Sequence, residues 1–155
     1  MKKLILTLVM VIPSLFAYSQ TDEDYLALMQ QTLKTEKKMI ISEIMELSDA
    51  EGEAFWPIYN EYAEKLQVLN TQGMGVVKDF AKHFNNMTEE VANDLIKRQL
   101  ANVTSVDKLK KNYVKKMMKV LSPQKVIRWY QAENKIDLLV DYELSSEIPL
   151  LEVND

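Results

Sequence analysis

From Phe55 to Met87 the chain places apolar or ring-bearing residues at alternating steps of four and three: Phe55, Tyr59, Tyr62, Leu66, Leu69, Val76, Phe80, His83 and Met87, with Gly73 filling one step. A strand presents every second residue to one face, so this spacing closes only on a helix, as a heptad seam about four repeats long. Only 3 glycines occur in 155 residues. That is too few for a nucleotide-cradling loop, for many tight hairpins or for a doubly wound sheet. The seam therefore sets the class: long helices packed side by side.

The rest of the chain reads the same way. Asp22 to Met45 carries Leu26, Met29, Leu33, Ile40 and Ile44 at mostly helical spacing, with Leu47 just beyond. Ser48-Asp49-Ala50-Glu51 is a capping box that opens the second helix. Pro57 is expected to kink that helix, and Gln72-Gly73-Met74-Gly75 is a weak point where it either continues bent or breaks. Thr88-Glu89-Glu90 caps a third helix with the stripe Ile96, Leu100, Val103, Val106, Leu109, Tyr113, Met117 and Val120. Ser122-Pro123 starts a fourth, with proline at the first helical position and Leu121 poised to staple to Val126. Its stripe is Val126, Trp129, Tyr130, Ile136, Leu139, Val140 and Leu144. The predicted fold is all-α, with four helices, two of them long.

Residues 1–19 read as an export signal. Lys2 and Lys3 precede the nearly unbroken apolar run Leu4 to Ile12, Pro13 ends it, and Ala17-Tyr18-Ser19 offers small residues for cleavage after Ser19. The run is too short to span a bilayer, and no cysteine follows to carry a lipid. The expected mature chain is a helical domain over 20–144 and a flexible tail over 145–155, with no stable membrane insertion once the signal is cut.

Chemistry is scarce. The chain has no cysteine and one histidine, which excludes disulfides, thiolate zinc sites, thiol nucleophiles and His-pair metal sites. His83 falls on the seam, where a half-buried structural imidazole is the expected role. A di-iron bundle needs Glu-x-x-His, and position 80 is Phe. Carboxylate pairs such as Glu51 with Glu53, or Glu89 with Glu90, are ordinary on charged helices. No catalytic residue, metal or cofactor is read from the sequence, and an enzyme is not expected.

Charge is unevenly placed. Residues 97–128 hold 10 basic groups against Asp107 alone, whereas residues 129–155 hold 1 basic group and 7 acidic ones. Lys108, Lys110, Lys111, Lys115, Lys116, Lys119, Lys125 and Arg128 form either a solvated face or a positive surface that attracts acidic protein segments. The chain carries a net charge of −4, which becomes −6 once Lys2 and Lys3 leave with the signal, and an exported acidic protein is a poor fit to nucleic acid; anionic lipid headgroups are a minor alternative.

Leu47-Ser48-Asp49-Ala50-Glu51 and Leu121-Ser122-Pro123-Gln124-Lys125 resemble two degenerate copies of the LTxxQ motif of Spy- and CpxP-like envelope proteins. The runs after them, Phe55-Trp56-Pro57-Ile58-Tyr59-Asn60-Glu61-Tyr62 and Tyr130-Gln131-Ala132-Glu133-Asn134-Lys135, are similar to the FWPIYNEY-type segment and its companion in one branch of that family. Serine replaces threonine in both copies, and Glu51 and Lys125 stand where glutamine is usual. The resemblance covers about residues 36 to 144. It implies a curved, cradle-like antiparallel homodimer in the periplasm. It also implies ATP-independent chaperoning of unfolded clients or, alternatively, an accessory that binds the periplasmic domain of a sensor kinase or a sigma-factor-linked sensor.

Physically, Leu47, Ser48, Glu51, Leu121, Ser122 and Pro123 are helix-start architecture. The candidates for contact with a client or partner are Phe55, Trp56, Tyr59, Tyr62, Lys111, Lys115, Met118, Lys119, Trp129 and Tyr130. The aromatic members equally suit core or dimer packing, and Trp56 and Trp129 are the two expected to be partly exposed or interfacial.

Overall fold

The computed structural model describes residues 22–152, with side-chain surroundings from Lys34 onward. The expected export signal over 1–19 lies outside the described residues. Four helices follow in order: α1 (Asp22–Met45), α2 (Asp49–His83), α3 (Glu89–Met117) and α4 (Pro123–Glu147), with a 3-10 turn at Phe84–Asn86 joining α2 to α3. The fold is all-α, as the spacing predicts. No helix among the described residues is long and apolar enough to cross a membrane.

The helix starts are built as the sequence reads. The Ser48 backbone N–H donates to Glu51 Oε2 (2.9 Å) while the Ser48 hydroxyl accepts from the Glu51 N–H (3.4 Å), closing the capping box. Thr88 accepts from the Val91 N–H (3.2 Å) and Ser122 from the Lys125 N–H (3.3 Å), with Pro123 at the start of α4. Between α1 and α2, Glu46 takes φ +46°, the left-handed region that side chains with a Cβ avoid. The helix α2 runs unbroken through Pro57 and through Gly73 to Gly75. At Gly73 the partner helix comes close: the Asn102 amide donates to the Leu69 carbonyl at 2.8 Å, and a Cβ on Gly73 would lie 3.2 Å from Asn102 Oδ1.

Helices α2 and α3 form a long antiparallel hairpin, and α1 pairs with α4. The two pairs meet at a shared core made of Ile41 and Met45 from α1; Phe55, Tyr59, Tyr62 and Leu66 from α2; Tyr113 and Met117 from α3; Leu121 before α4; and Val126, Trp129 and Ala132 from α4. Farther out along the hairpin, Val76 and Leu95 are the only buried residues among those described. Rings dominate the junction. Tyr62 lies edge-on to Trp129 with centroids 5.3 Å apart and 5.4 Å from Tyr113, and Phe55 stacks on Tyr59 at 5.5 Å.

Three expectations are corrected. The α3 stripe is out of phase over its first half: Leu95 is buried, while Ile96, Leu100 and Val103 face solvent. Leu139 of α4 is likewise exposed. The expected tail at 145–155 begins later, because α4 continues to Glu147 before Ile148 turns extended.

Candidate binding surface

The residues singled out from the sequence divide into two groups. Phe55, Tyr59, Tyr62 and Trp129 are sealed in the junction. Trp129 is fully buried, so its expected exposure is overturned: the Tyr62 edge and the α1–α4 contact close over the indole. Trp56 and Tyr130 are half-buried against the same core, and Lys38 sits over the Trp56 ring at 5.4 Å. Met118, Lys111, Lys115 and Lys119 are exposed. The aromatic run is thus packing, and only its half-buried edge is reachable from solvent.

The basic stripe also divides. Lys116 pairs with Glu61 (2.8 Å) and stands over the Tyr113 ring at 4.4 Å. Lys110 reaches Asp137 (2.7 Å) and Asn134 (2.9 Å) on α4. Lys125 pairs with Glu51 (2.7 Å), and Arg128 with Glu46 (2.7 Å). These four cations hold helices together and are spent on structure. Lys111 pairs only within its own helix, with Asp107, and Lys108, Lys115 and Lys119 have no ion pair among the described residues.

Beneath them lies a polar cluster that sequence reasoning missed. Glu133 is 1% exposed; its Oε2 accepts from the Tyr62 hydroxyl (2.9 Å) and pairs with Lys37 (2.8 Å), which also pairs with Asp137 (2.7 Å). Burial opposes charge on Lys37, yet the Glu133 and Asp137 carboxylates outweigh it and hold the ammonium above its ordinary pKa. Burial likewise works against the Asp137 carboxylate, but Lys37 and Lys110 hold it below the usual range. Burial, followed by the negative charge of Glu133, pushes the Tyr59 and Tyr62 hydroxyls up. The partners come from all four helices, Lys37 from α1, Tyr62 from α2, Lys110 from α3 and Glu133 and Asp137 from α4, so the cluster bolts the helices together.

The chain matches no family model, no curated protein and no solved structure. Its surface must be read from its own geometry. Ile96, Leu100 and Val103 repeat at four and three on one flank of α3 and are 59%, 63% and 54% exposed. Three large aliphatic groups in one row, each more than half in water, form an apolar patch of the kind that marks interaction surfaces. Lys97 borders the row, and Lys108, Lys111 and Lys115 continue along the outer crest of the same helix. On the other side of that crest a shallow depression of about 370 Å3 lies between α2 and α3, floored by Val68, Leu69 and Leu109 and edged by Lys65 and Lys108. The signal for the row was present in the sequence as the aliphatic spacing assigned to the seam. Its partner seam, Leu95 with Asn102, was hidden by a polar residue.

Proposed function

We propose that the protein is an ATP-independent chaperone of the periplasm that holds unfolded envelope proteins on the outer face of α3, acting as the homodimer that the resemblance implies. The observation that carries this reading is the exposed row Ile96, Leu100 and Val103 on a helix whose Lys97, Lys108 and Lys115 have no ion pair among the described residues. Charge of that kind speeds the encounter with acidic segments, and apolar contact then sets how long they stay. A shallow row with no enclosing pocket gives contacts short enough in life for a client to fold between encounters.

The test is suppression of aggregation of two chemically unrelated denatured proteins at near-stoichiometric amounts. Wild type is expected to suppress both, less so as salt rises. Leu100→Ser with Val103→Ser is expected to abolish capture. Lys111→Gln, Lys115→Gln and Lys119→Gln together are expected to weaken it at low salt only. No suppression of either client, with tight binding to a single folded sensor domain instead, would replace the chaperone by a signalling accessory.

A further inference from the structure

On the side of α3 opposite the exposed row, Ser105, Lys108, Leu109 and Asn112 recur at steps of three and four and so share one flank. Lys65, Val68 and Leu69 do the same on α2. These two flanks are the walls of the depression of about 370 Å3, a volume within the range of about 300–1,000 Å3 usual for small-molecule sites. The antiparallel hairpin sets how the walls face each other. Glu61 meets Lys116 at 2.8 Å. Lys65 follows Glu61 by one turn and Asn112 precedes Lys116 by one turn, so both stand about 6 Å from that pair, at the junction end of the depression. Lys108 lies one turn farther out. Val68, which is 58% exposed, Leu69 and Leu109 form the floor.

The charge around this floor has one sign. No acidic residue among those described lines it. Glu61 offers a single negative charge to two lysines, Lys65 (2.7 Å) and Lys116 (2.8 Å). Lys108 has no ion pair among the described residues. Asp107, its neighbour in sequence, pairs with Lys111 (2.7 Å) on the row's side of the helix. Three lysines against one carboxylate leave an excess of positive charge at the rim, and an anion is the ligand that balances it.

The floor decides what the rest of that ligand is made of. Val68, Leu69 and Leu109 present only carbon, and the helical backbone beneath them is bonded within its own helices. The Ser105 hydroxyl donates to the Ala101 carbonyl (2.8 Å). A peptide laid on this floor would turn N–H and C=O groups towards surface that cannot bond them. An alkyl chain has none to satisfy. From Asn112 to Ser105 the wall is about 10 Å long, which a chain of about eight carbons spans.

We propose that the α2–α3 depression is a binding site for a medium-chain alkyl carboxylate, with the head group among Lys65, Lys108 and Asn112 and the tail on Val68, Leu69 and Leu109. The site lies across the crest from the Ile96–Leu100–Val103 row, and the proposal does not depend on how that row is used.

The test is a titration of the full mature chain with octanoate, followed by amide NMR shifts. Saturable shifts centred on Leu69, Lys108, Leu109 and Asn112 are expected. Hexanoate is expected to bind about fourfold more weakly, as for the loss of one fully buried methylene. Octyltrimethylammonium, with the same tail and the opposite charge, is expected not to saturate the site. Lys108→Gln and Val68→Ser, both changes of exposed side chains, should each weaken octanoate about threefold. Shifts that do not saturate, equal binding of the cationic analogue, or an affinity that Lys108→Gln leaves unchanged each overturn the proposal. Shifts centred on Ile96, Leu100 and Val103 overturn it too, because they would put the anion on the opposite face of α3.

Discussion

Lys125 Nζ lies 2.7 Å from Glu51 Oε2, and the two residues occupy the same fifth position in the two five-residue helix-start motifs. The places where this chain departs from the expected glutamine are thus each other's partners. Lys125 also donates to the Glu46 carbonyl (3.0 Å), and Arg128 pairs with the Glu46 carboxylate (2.7 Å). The start of α4 therefore clamps the α1–α2 turn, including the one left-handed residue in it. Glu51→Gln and Lys125→Gln should each lower the melting temperature. The double variant should melt no lower than the worse single one, because both remove the same contact. Thermal melts of the four proteins by circular dichroism decide it, and strictly additive losses would disprove the coupling.

Acid should loosen the molecule, and the sign follows from the paired carboxylates. Lys125 and the Ser48 backbone hold Glu51 down at about 2, and Lys116 and Lys65 do the same for Glu61, against an ordinary value of 4.5. A carboxylate depressed in the folded state binds its proton more readily when unfolded, so its stabilisation is complete above about pH 4.5 and is lost towards pH 2. Asp141, pushed up by burial and by Asp137, works in the opposite direction. The expected melting temperature is flat from pH 7 to 5 and falls steeply below 4.5. Trp129 fluorescence reports it, and a curve unchanged at pH 3 counts against the pairing.

The polar bolt under the rings should be costly to break on one side only. Lys37→Met leaves Glu133 buried without its cation, and removing one partner of a buried pair costs about 3–5 kcal/mol. Asp137 keeps Lys110, which limits the damage to Glu133. Adding Glu133→Gln discharges the site while preserving an acceptor for the Tyr62 hydroxyl, so the double variant should regain more than half of the loss. Urea unfolding of the three proteins measures this. A single-variant cost below about 1 kcal/mol would mean that water reaches the pair.

How much could be read beforehand depends on what each helix meets. The α2 seam was legible because Phe55, Tyr59, Tyr62 and Leu66 face other helices at the junction, so the pattern has one phase. Helix α3 carries two. Ile96, Leu100 and Val103 outnumber Leu95 in apolar atoms, yet Leu95 and Asn102 face α2, since Gly73 leaves room for the Asn102 amide and Asp79 takes Arg98 at 2.7 Å. A helix phase fixed by a polar contact with a distant glycine leaves no apolar period to detect. The lysines show the same limit. Lys110 and Lys116 look like Lys111 and Lys115 in the sequence, and only the fold reveals that the first two have interhelical carboxylates within 2.8 Å. Trp129 lies on its predicted stripe, and its place opposite Tyr62, rather than the versatility of tryptophan at interfaces, decides its burial.

Two glycines two residues apart in α2 should respond differently to the same change. In a helix interior alanine is favoured over glycine by about 1 kcal/mol. At Gly75 a Cβ would meet nothing within 4 Å, so Gly75→Ala should realise that whole gain. At Gly73 the new carbon would sit 3.2 Å from Asn102 Oδ1, while the same amide is held by its bond to the Leu69 carbonyl. Either the amide yields and the bond lengthens, or the helices separate by a few tenths of an ångström, and both erode the propensity gain. Gly73→Ala should therefore stabilise less than Gly75→Ala. Pairing it with Asn102→Ala should restore additivity only if the amide is the obstacle. Denaturant midpoints for the two single variants give the order, and a larger gain at Gly73 would show that α2 and α3 do not approach there as closely as the Asn102 contact requires.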